Sequence, residues 1–195
     1  MFVGRKKELD ALNSRYKSNR KEFGVLYGRR RIGKSSILNE FLKGKKGILF
    51  QAKQDNSYGN LKSFSYEVDH LLNLPDTFVF ASWQHAFKSI QEYAKNERFV
   101  LVIDEYPYIV SQDSSFSSVL QEFIDHASDN MMVILSGSDI GFLQREIQNH
   151  ASPLYKRRTF EMEIKKMNFM DAKEFVKMED IKNQANYLCL MSGYP

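Results

Sequence analysis

Short apolar runs alternate with segments of helical periodicity along this chain, and this alternation limits its fold more than any other feature. EFGVLYG and MMVILSGS are strand-like, and FVLVID is too short and too β-branched for a helix. Between them, KSSILNEFLKG and SSFSSVLQEFIDHAS carry apolar residues at helical spacing. Strands that are apolar throughout are typical of sheets buried on both faces. The alternation therefore predicts an α/β fold with a parallel sheet covered by helices on both sides.

The remaining segments complete this prediction. GILFQA is a second short strand, and TFEMEIKKM alternates apolar with charged residues, as expected of an edge strand. Two helices are expected between residues 57 and 96, and two short ones over about 169–178 and 181–191. No internal repeat or low-complexity segment interrupts the pattern. The chain is thus expected to hold one sizeable core with a small appendage.

Composition excludes several kinds of protein. The 28 basic and 24 acidic residues give a net charge of +4 that is spread along the chain, which is weak evidence for nucleic-acid binding. A single cysteine, Cys189, forbids an intrachain disulfide, and four scattered histidines lack the spacing of metal ligands. No apolar run approaches 18 residues and the N-terminus is charged, so neither a membrane span nor a signal peptide is expected. We expect a cytoplasmic protein.

The segment Gly28–Ser35 reads GRRRIGKS and fits the phosphate-binding pattern G-x-x-x-x-G-K-S. A basic surface turn is the alternative. The segment directly follows a strand-like run and opens a helix, where backbone N–H groups and the helix dipole can hold phosphate oxygens. In such a loop, Lys34 reaches the β and γ oxygens and the Ser35 hydroxyl binds Mg²⁺. The sequence therefore predicts a P-loop, which binds the phosphates of a nucleoside triphosphate.

The three consecutive arginines occupy positions that the motif leaves free. Solvent-facing side chains that raise the local positive potential are favoured over a specific role. The nucleotide-binding residues expected in this loop are Gly28, Arg29, Arg30, Arg31, Ile32, Gly33, Lys34, Ser35 and Ser36.

Two acidic residues end the apolar run FVLVIDE. Asp104 would project from the carboxyl edge of the sheet, where ligands of open α/β sheets bind, and would help to hold Mg²⁺. Glu105 follows it and could orient and polarise an attacking water molecule, as in nucleotide hydrolases. A polar strand end without function is the alternative. Together with the upstream P-loop, the pair predicts a Walker B acid and a catalytic glutamate.

Six motifs in order make the resemblance to a known family specific. FVGR, GRRRIGKSS, VLVIDEYPYI, ILSGSDIGFL, SPLYKRR and SGYP resemble those of the archaeal-type ATPase family, a STAND branch of the AAA+ superfamily. The resemblance implies a three-layer P-loop NTPase of the ASCE type. Its mainly parallel sheet of five strands would place the Walker B strand between the P-loop strand and others. Residues 1–166 would form the ATPase core and residues 167–195 the beginning of a helical lid.

The resemblance also implies where adenine would bind. Phe2 and Val3 would lie beside the base, and Pro195 would approach the nucleotide from the lid. Phe2 and Val3 could equally staple the first helix to the sheet. Tyr106 and Tyr108 are expected to serve in packing or in a loop and not to stack on bases.

The resemblance also implies contacts to the γ-phosphate, and at these positions the sequence departs from the family pattern. The segment from Ser136 to Ser138 would be the sensor 1 region, or the serines could cap a strand end. Arg157 and Arg158 could approach the γ-phosphate in cis or from a neighbouring subunit, or could begin a strand in solvent. Many relatives carry arginine where Ser138 stands and glycine where Lys156 stands. Residues 168–195 contain no arginine, so the source of γ-phosphate sensing stays open.

Two functions are consistent with these residues. The first is a Mg²⁺-dependent ATP hydrolase whose nucleotide state controls attached or partner domains. The second is a nucleotide-gated module that binds DNA or protein with little turnover, and a small-molecule kinase is weaker because no acceptor motif is visible. The end at SGYP suggests an ATPase-domain fragment that would hydrolyse ATP slowly alone. Homo-oligomer formation is left open, and no membrane partner is expected.

Overall fold

A computed structural model of the chain describes Phe2, residues 4–72 and residues 78–167. Five parallel strands form one sheet in the order β2-β3-β4-β1-β5. Strand β3, which ends in Asp104, lies between β2 and β4, and β4 separates it from β1. This is the α/β sheet predicted from the sequence. The strands span Glu22–Tyr27 (β1), Gly47–Gln51 (β2), Phe99–Asp104 (β3), Met131–Gly137 (β4) and Phe160–Glu163 (β5).

Seven α-helices lie in the described residues. The two expected between residues 57 and 96 are present, whereas α5 and α7 were not predicted. The expected helices at 169–178 and 181–191 lie outside the described residues. In the part of the chain that the structure describes, none of the helices has the length and apolarity needed to cross a bilayer. The helices span Lys6–Tyr16 (α1), Lys34–Leu42 (α2), Ser57–Leu72 (α3), Trp83–Tyr93 (α4), Pro107–Gln112 (α5), Phe116–His126 (α6) and Ile140–Gln148 (α7).

The strand sequences explain their places in the sheet. Every residue of β1, β3 and β4 is buried, as expected of central strands covered on both faces. β5 alternates between partly buried and exposed residues and, among the described residues, pairs with β1 alone, so the predicted edge strand is confirmed. The alternation in its sequence arises because only one face of this edge strand contacts the core.

Helices cover both faces of the sheet and produce three layers. On one face, α3, α4, α6 and α7 contribute to a core rich in aromatic side chains, with Phe64, Trp83 and Phe116 at its centre. On the other face, α1 and α2 enclose a more aliphatic core that includes Leu12 and Ile37. The predicted three-layer architecture is therefore confirmed.

The register of the parallel strands brings three loops to one edge of the sheet. Tyr27 at the end of β1 pairs with Gly137 of β4, and Ile103 near the end of β3 pairs with Leu135. The chain leaves all three strands on the same side because they are parallel. The P-loop, the acidic pair and the serines after β4 consequently converge at the carboxyl edge.

Candidate active site

The loop that connects β1 to α2 has the backbone of a phosphate cradle. Gly33 adopts a φ of 92° and caps the N-terminus of α2, and Arg31 adopts a φ of 59°. The first N–H groups of a helix have no partner within the helix and so face the loop as donors. At Gly28, a Cβ atom would stand 2.5 Å from the Ile164 carbonyl oxygen, so this position accepts only glycine. The loop can therefore present backbone donors to an anion.

Lys34 lies inside this loop and is only 5% exposed. Its Nζ donates to the carbonyl oxygens of Gly28, at 2.9 Å, and of Arg29, at 3.1 Å. Burial lowers the pKa of Lys34, although the carboxylates of Glu105 and Asp104 act in the opposite direction. The ammonium group is thus held between the loop and the two acids, where the phosphates of a nucleotide would need a point charge.

Asp104 is fully buried and accepts hydrogen bonds from two hydroxyl groups. Its Oδ2 accepts from Ser35 Oγ at 2.5 Å, and its Oδ1 accepts from Ser136 Oγ at 2.6 Å. A hydroxyl and a carboxylate on adjacent loops form the oxygen donor set that Mg²⁺ takes when water and phosphate complete its shell. In the described residues, no group of three or more His, Cys, Asp and Glu could hold a metal ion by itself. The donor set therefore fits Mg²⁺ bound together with a nucleotide.

Glu105 has a left-handed backbone, with a φ of 52°. This conformation costs a non-glycine residue on the order of 1–2 kcal/mol, and such strain is often found at functional sites. The carboxylate Oε2 accepts from the Ser138 N–H at 3.2 Å and from its Oγ at 3.1 Å. Ser138 therefore fixes the direction of Glu105 at the edge of the sheet.

The two serines after β4 contact the acids in this structure. Ser136 Oγ is directed to Asp104, and Ser138 is directed to Glu105. Their expected role in sensing the γ-phosphate stays a prediction. Of the two tyrosines assigned to packing, Tyr106 is fully buried, and its hydroxyl contacts Ser117 at 2.7 Å.

The three loop arginines differ from one another. All three are exposed, as expected. Arg30 alone among them makes side-chain hydrogen bonds to other described residues: its guanidinium donates to Ser138 Oγ at 3.4 Å and to Tyr108 Oη at 3.2 Å. The side chain of Arg30 therefore contacts Ser138, which also binds Glu105.

Arg5 is a site residue that the sequence analysis did not assign. It is 5% exposed and donates to the Ile32 carbonyl at 2.8 Å and to the Lys165 carbonyl at 2.7 Å. It thereby ties the P-loop to the segment that follows β5. The available signal was its position at the end of FVGR, the first motif of the resemblance.

The structure places Arg157 and Arg158 away from the P-loop, so it gives no support to their expected approach to the γ-phosphate in cis. Both precede β5 and lie at the amino edge of the sheet, since the adjacent Thr159 N–H bonds the Phe23 carbonyl at the start of β1. Five residues of strand, on the order of 16 Å, separate Phe23 from Gly28. Each arginine is also engaged elsewhere, Arg157 with Asp125 at 2.8 Å and Arg158 with Glu161 at 2.7 Å. A contact from a neighbouring subunit stays a prediction.

Of the residues expected to contact adenine, the structure describes Phe2. Phe2 is partly buried and packs against the aliphatic core, as the staple alternative requires. Val3 and Pro195 lie outside the described residues. A cleft of about 310 Å³ borders the P-loop and is lined in part by Gly28, Ile32 and Ile164. The adenine role of Phe2 stays a prediction.

Comparison with known proteins gives a family and a fold. Residues 2–187 match the model of an ATPase domain predominantly from Archaea. An uncharacterized protein of Methanocaldococcus jannaschii is 29% identical over 177 residues, which are 90% of this chain and 38% of that protein. An uncharacterized ATP-binding protein of the same organism is 46% identical over 46 residues, 24% of this chain and 78% of that protein. The chain thus spans about two fifths of the longer relative.

Solved structures share the fold at low identity. The Walker-type ATPase PABY2304 of Pyrococcus abyssi superposes with a TM-score of 0.77 at 20% identity, covering 100% of this chain and 65% of that one. The ORC1 protein of Aeropyrum pernix, solved in complex with DNA, gives a TM-score of 0.66 at 12% identity over 96% of this chain and 50% of that one. These likenesses agree with the three-layer sheet described above.

Proposed function

Because the chain belongs to the family of ATPase domains found predominantly in Archaea, we propose that it binds ATP with Mg²⁺ and hydrolyses it to ADP and phosphate. The observation that carries this proposal is the meeting of three loops at one edge of the sheet. Ser35 Oγ lies 2.5 Å from Asp104, and Glu105 follows Asp104 directly. A hydroxyl, a carboxylate and a candidate base beside a buried lysine are the parts that phosphoryl transfer to water requires.

The P-loop would bind the phosphates of ATP. Its backbone N–H groups and the N-terminus of α2 would hold the oxygens, and Lys34 would neutralise charge on the β and γ phosphates. The carbonyl oxygens that now accept from Lys34 keep its ammonium in the loop. Arg5 would support binding indirectly, because it fixes the Ile32 carbonyl and hence the turn of the loop.

Ser35 and Asp104 would hold Mg²⁺, directly or through water. When bound, Mg²⁺ would offset the negative charge that develops on the phosphates during transfer. Ser136 would keep Asp104 oriented through its hydrogen bond to Oδ1. Burial of this carboxylate at a strand end leaves it little freedom to turn away.

Glu105 would orient the attacking water and accept its proton. The water oxygen forms a bond to the γ-phosphorus while the bond from that phosphorus to the bridging oxygen breaks, and ADP leaves. Ser138 would set the direction of the Glu105 carboxylate during this step. General-base assistance of this kind contributes roughly 10²–10⁴ to the rate.

A nucleotide-gated scaffold is the second candidate. One observation favours it: Arg157 and Arg158 lie at the opposite edge of the sheet from the P-loop. Without a further group at the γ-phosphate, ATP could be held with little turnover. A DNA or protein partner would then bind through parts of a longer protein. The ORC1 likeness, solved with DNA, supports DNA as one partner to test.

Under either proposed function, the nucleotide state would control attached domains. The longer relative has more than twice the length that this chain covers, so a nucleotide-driven change would act on further segments in a protein of that kind. Homo-oligomer formation and a cytoplasmic location are parts of the same proposal. A neighbouring subunit could supply Arg157 or Arg158 in trans, because both side chains are partly exposed at the amino edge of the sheet.

The test is a phosphate-release assay of the full-length protein with ATP, with Mg²⁺ or EDTA, and with or without duplex DNA. The hydrolase predicts turnover that requires Mg²⁺. Mg²⁺-dependent ATP binding without turnover, with DNA or protein binding that follows ATP occupancy, would favour the scaffold. Failure to bind ATP in Mg²⁺ would contradict both.

A further inference from the structure

Five arginines of the described residues form no ion pair, and Arg30 is the one of these whose guanidinium donates to hydroxyl groups. Arg5 pairs with Glu8 at 3.0 Å and Arg157 pairs with Asp125 at 2.8 Å. In residues 4–72 and 78–167, Arg30 has no carboxylate partner. Its hydrogen bonds go to two neutral hydroxyls, at 3.2 and 3.4 Å, which is long for contacts of this type. A guanidinium with such partners has donors to offer to an anion.

The location of Arg30 places those donors at the phosphate end of the site. Its backbone lies between Gly28 and Lys34 in the P-loop. Its guanidinium shares Ser138 Oγ with the Glu105 carboxylate, so it lies beside the candidate base. The side chain therefore borders the space between Lys34 and Glu105, where a γ-phosphate must lie for water to attack it.

We propose that Arg30 is a catalytic residue that acts in cis: its guanidinium leaves the hydroxyls of Ser138 and Tyr108 and binds the γ-phosphate of ATP. This inference rests on the proposed function. A guanidinium fork matches phosphate oxygens better than a point charge does, and its bonds to an anion are stronger than those to neutral hydroxyls. Arg30 would supply from within the chain the charge that Arg157 and Arg158 cannot supply in cis.

Movement of Arg30 would also affect Glu105. Ser138 Oγ now accepts from Arg30 and donates to Glu105. When Arg30 binds phosphate, Ser138 would keep only its contacts to Glu105. The state of the γ-phosphate would then be communicated to the candidate base through one serine.

The test compares Mg²⁺-ATP and Mg²⁺-ADP affinities of the full-length protein with those of Arg30→Met. Only ATP carries the γ-phosphate, so the Kd for ATP should rise roughly tenfold or more while that for ADP changes less than about threefold. Arg30→Lys should recover part of the preference, because it keeps charge but not the fork. Arg145→Met, which removes an equal charge from an exposed position of α7, should leave both affinities unchanged.

The outcomes separate this inference from the proposed function. Equal losses for ATP and ADP in Arg30→Met would overturn it, because they would indicate a general charge effect. A wild type that binds ATP and ADP equally well would also overturn it, while nucleotide binding would stand. A wild type that binds neither nucleotide would overturn both the inference and the proposed function.

Discussion

The two edges of the sheet use charged residues in opposite ways. At the amino edge, Arg157 binds Asp125 through two hydrogen bonds and buried Glu22 contacts Arg20 at 3.2 Å, whereas Arg98 donates to backbone carbonyl oxygens. At the carboxyl edge, Lys34 donates to carbonyl oxygens and Arg30 to hydroxyls. Positive φ does not distinguish the edges, because it occurs at Arg31 and Glu105 in the site and also at Asn19 and Lys156 on the amino side.

The difference indicates what each edge contributes. Matched pairs at the amino edge satisfy one another, so their removal should affect stability and not nucleotide binding. Lys34 and Arg30 at the carboxyl edge have no ion-pair partner among the described residues, so their N–H donors could bind an anion. The following variants test this division between a stabilising edge and a binding edge.

The largest effect is expected from Glu105→Gln in the full-length protein. The amide keeps size and can still contact Ser138, but it cannot accept the proton of water. Turnover measured by phosphate release should fall by roughly 10²–10⁴, while ATP affinity changes little. Glu67→Gln, at an exposed position of α3, is the matched control and should hydrolyse ATP at the wild-type rate. Equal turnover of Glu105→Gln and wild type would remove Glu105 from the mechanism.

At the amino edge, Glu22→Ala should affect stability alone. Glu22 is fully buried, and its loss leaves Thr159 and Arg20 without their carboxylate partner. Removing one side of such a network costs about 1–3 kcal/mol in the free energy of unfolding. Urea denaturation measures this loss, and ATP titration at a temperature where the variant stays folded should give the wild-type Kd. A selective loss of ATP affinity in the folded variant would break the division between the edges.

Local pattern was sufficient to predict most of the fold. β3 and β4 are short and begin with continuous apolar runs that include Val and Ile, which distinguishes buried strands from helices. β5 was recognisable because its alternation reflects an edge strand with one exposed face. Helix α5 is only six residues long and begins with Pro107, so its sequence offers less than two turns of periodicity.

The candidate site was predictable where residue type and spacing determine the chemistry, as for Lys34, Ser35 and Asp104. Long-range geometry was not predictable. The sequence predicted a strand after Arg157 in a mainly parallel sheet, but not that this strand pairs with β1, and this pairing places Arg157 at the edge opposite the P-loop. Similarly, the contact of Arg5 with Ile32 joins residues 27 positions apart. Arg30 differs from its neighbours only through side chains brought near it by β3 and β4.

The smallest effect is expected from Arg157→Gln. Its pair with Asp125 is partly exposed, and such pairs contribute about 0–1 kcal/mol. Hydrogen bonds from Arg157 hold the pKa of Asp125 below its ordinary value of 3.8. The contribution is therefore complete above that ordinary value and is lost as the pH falls through the lower pKa of the folded state. Thermal unfolding should show a small wild-type advantage at pH 7 that disappears in acid. A stability advantage of the wild type that persists below the pKa of Asp125 would contradict the assigned ion pair.

Calorimetric titration of ATP into the full-length protein tests the P-loop assignment most directly. The wild type should bind ATP in Mg²⁺, and Lys34→Ala should bind it roughly tenfold or more weakly, because the point charge facing the β and γ oxygens is gone. Lys7→Ala, at an exposed position of α1, removes the same charge elsewhere and should match the wild type. Equal ATP affinity in Lys34→Ala and wild type would contradict the binding site at the carboxyl edge.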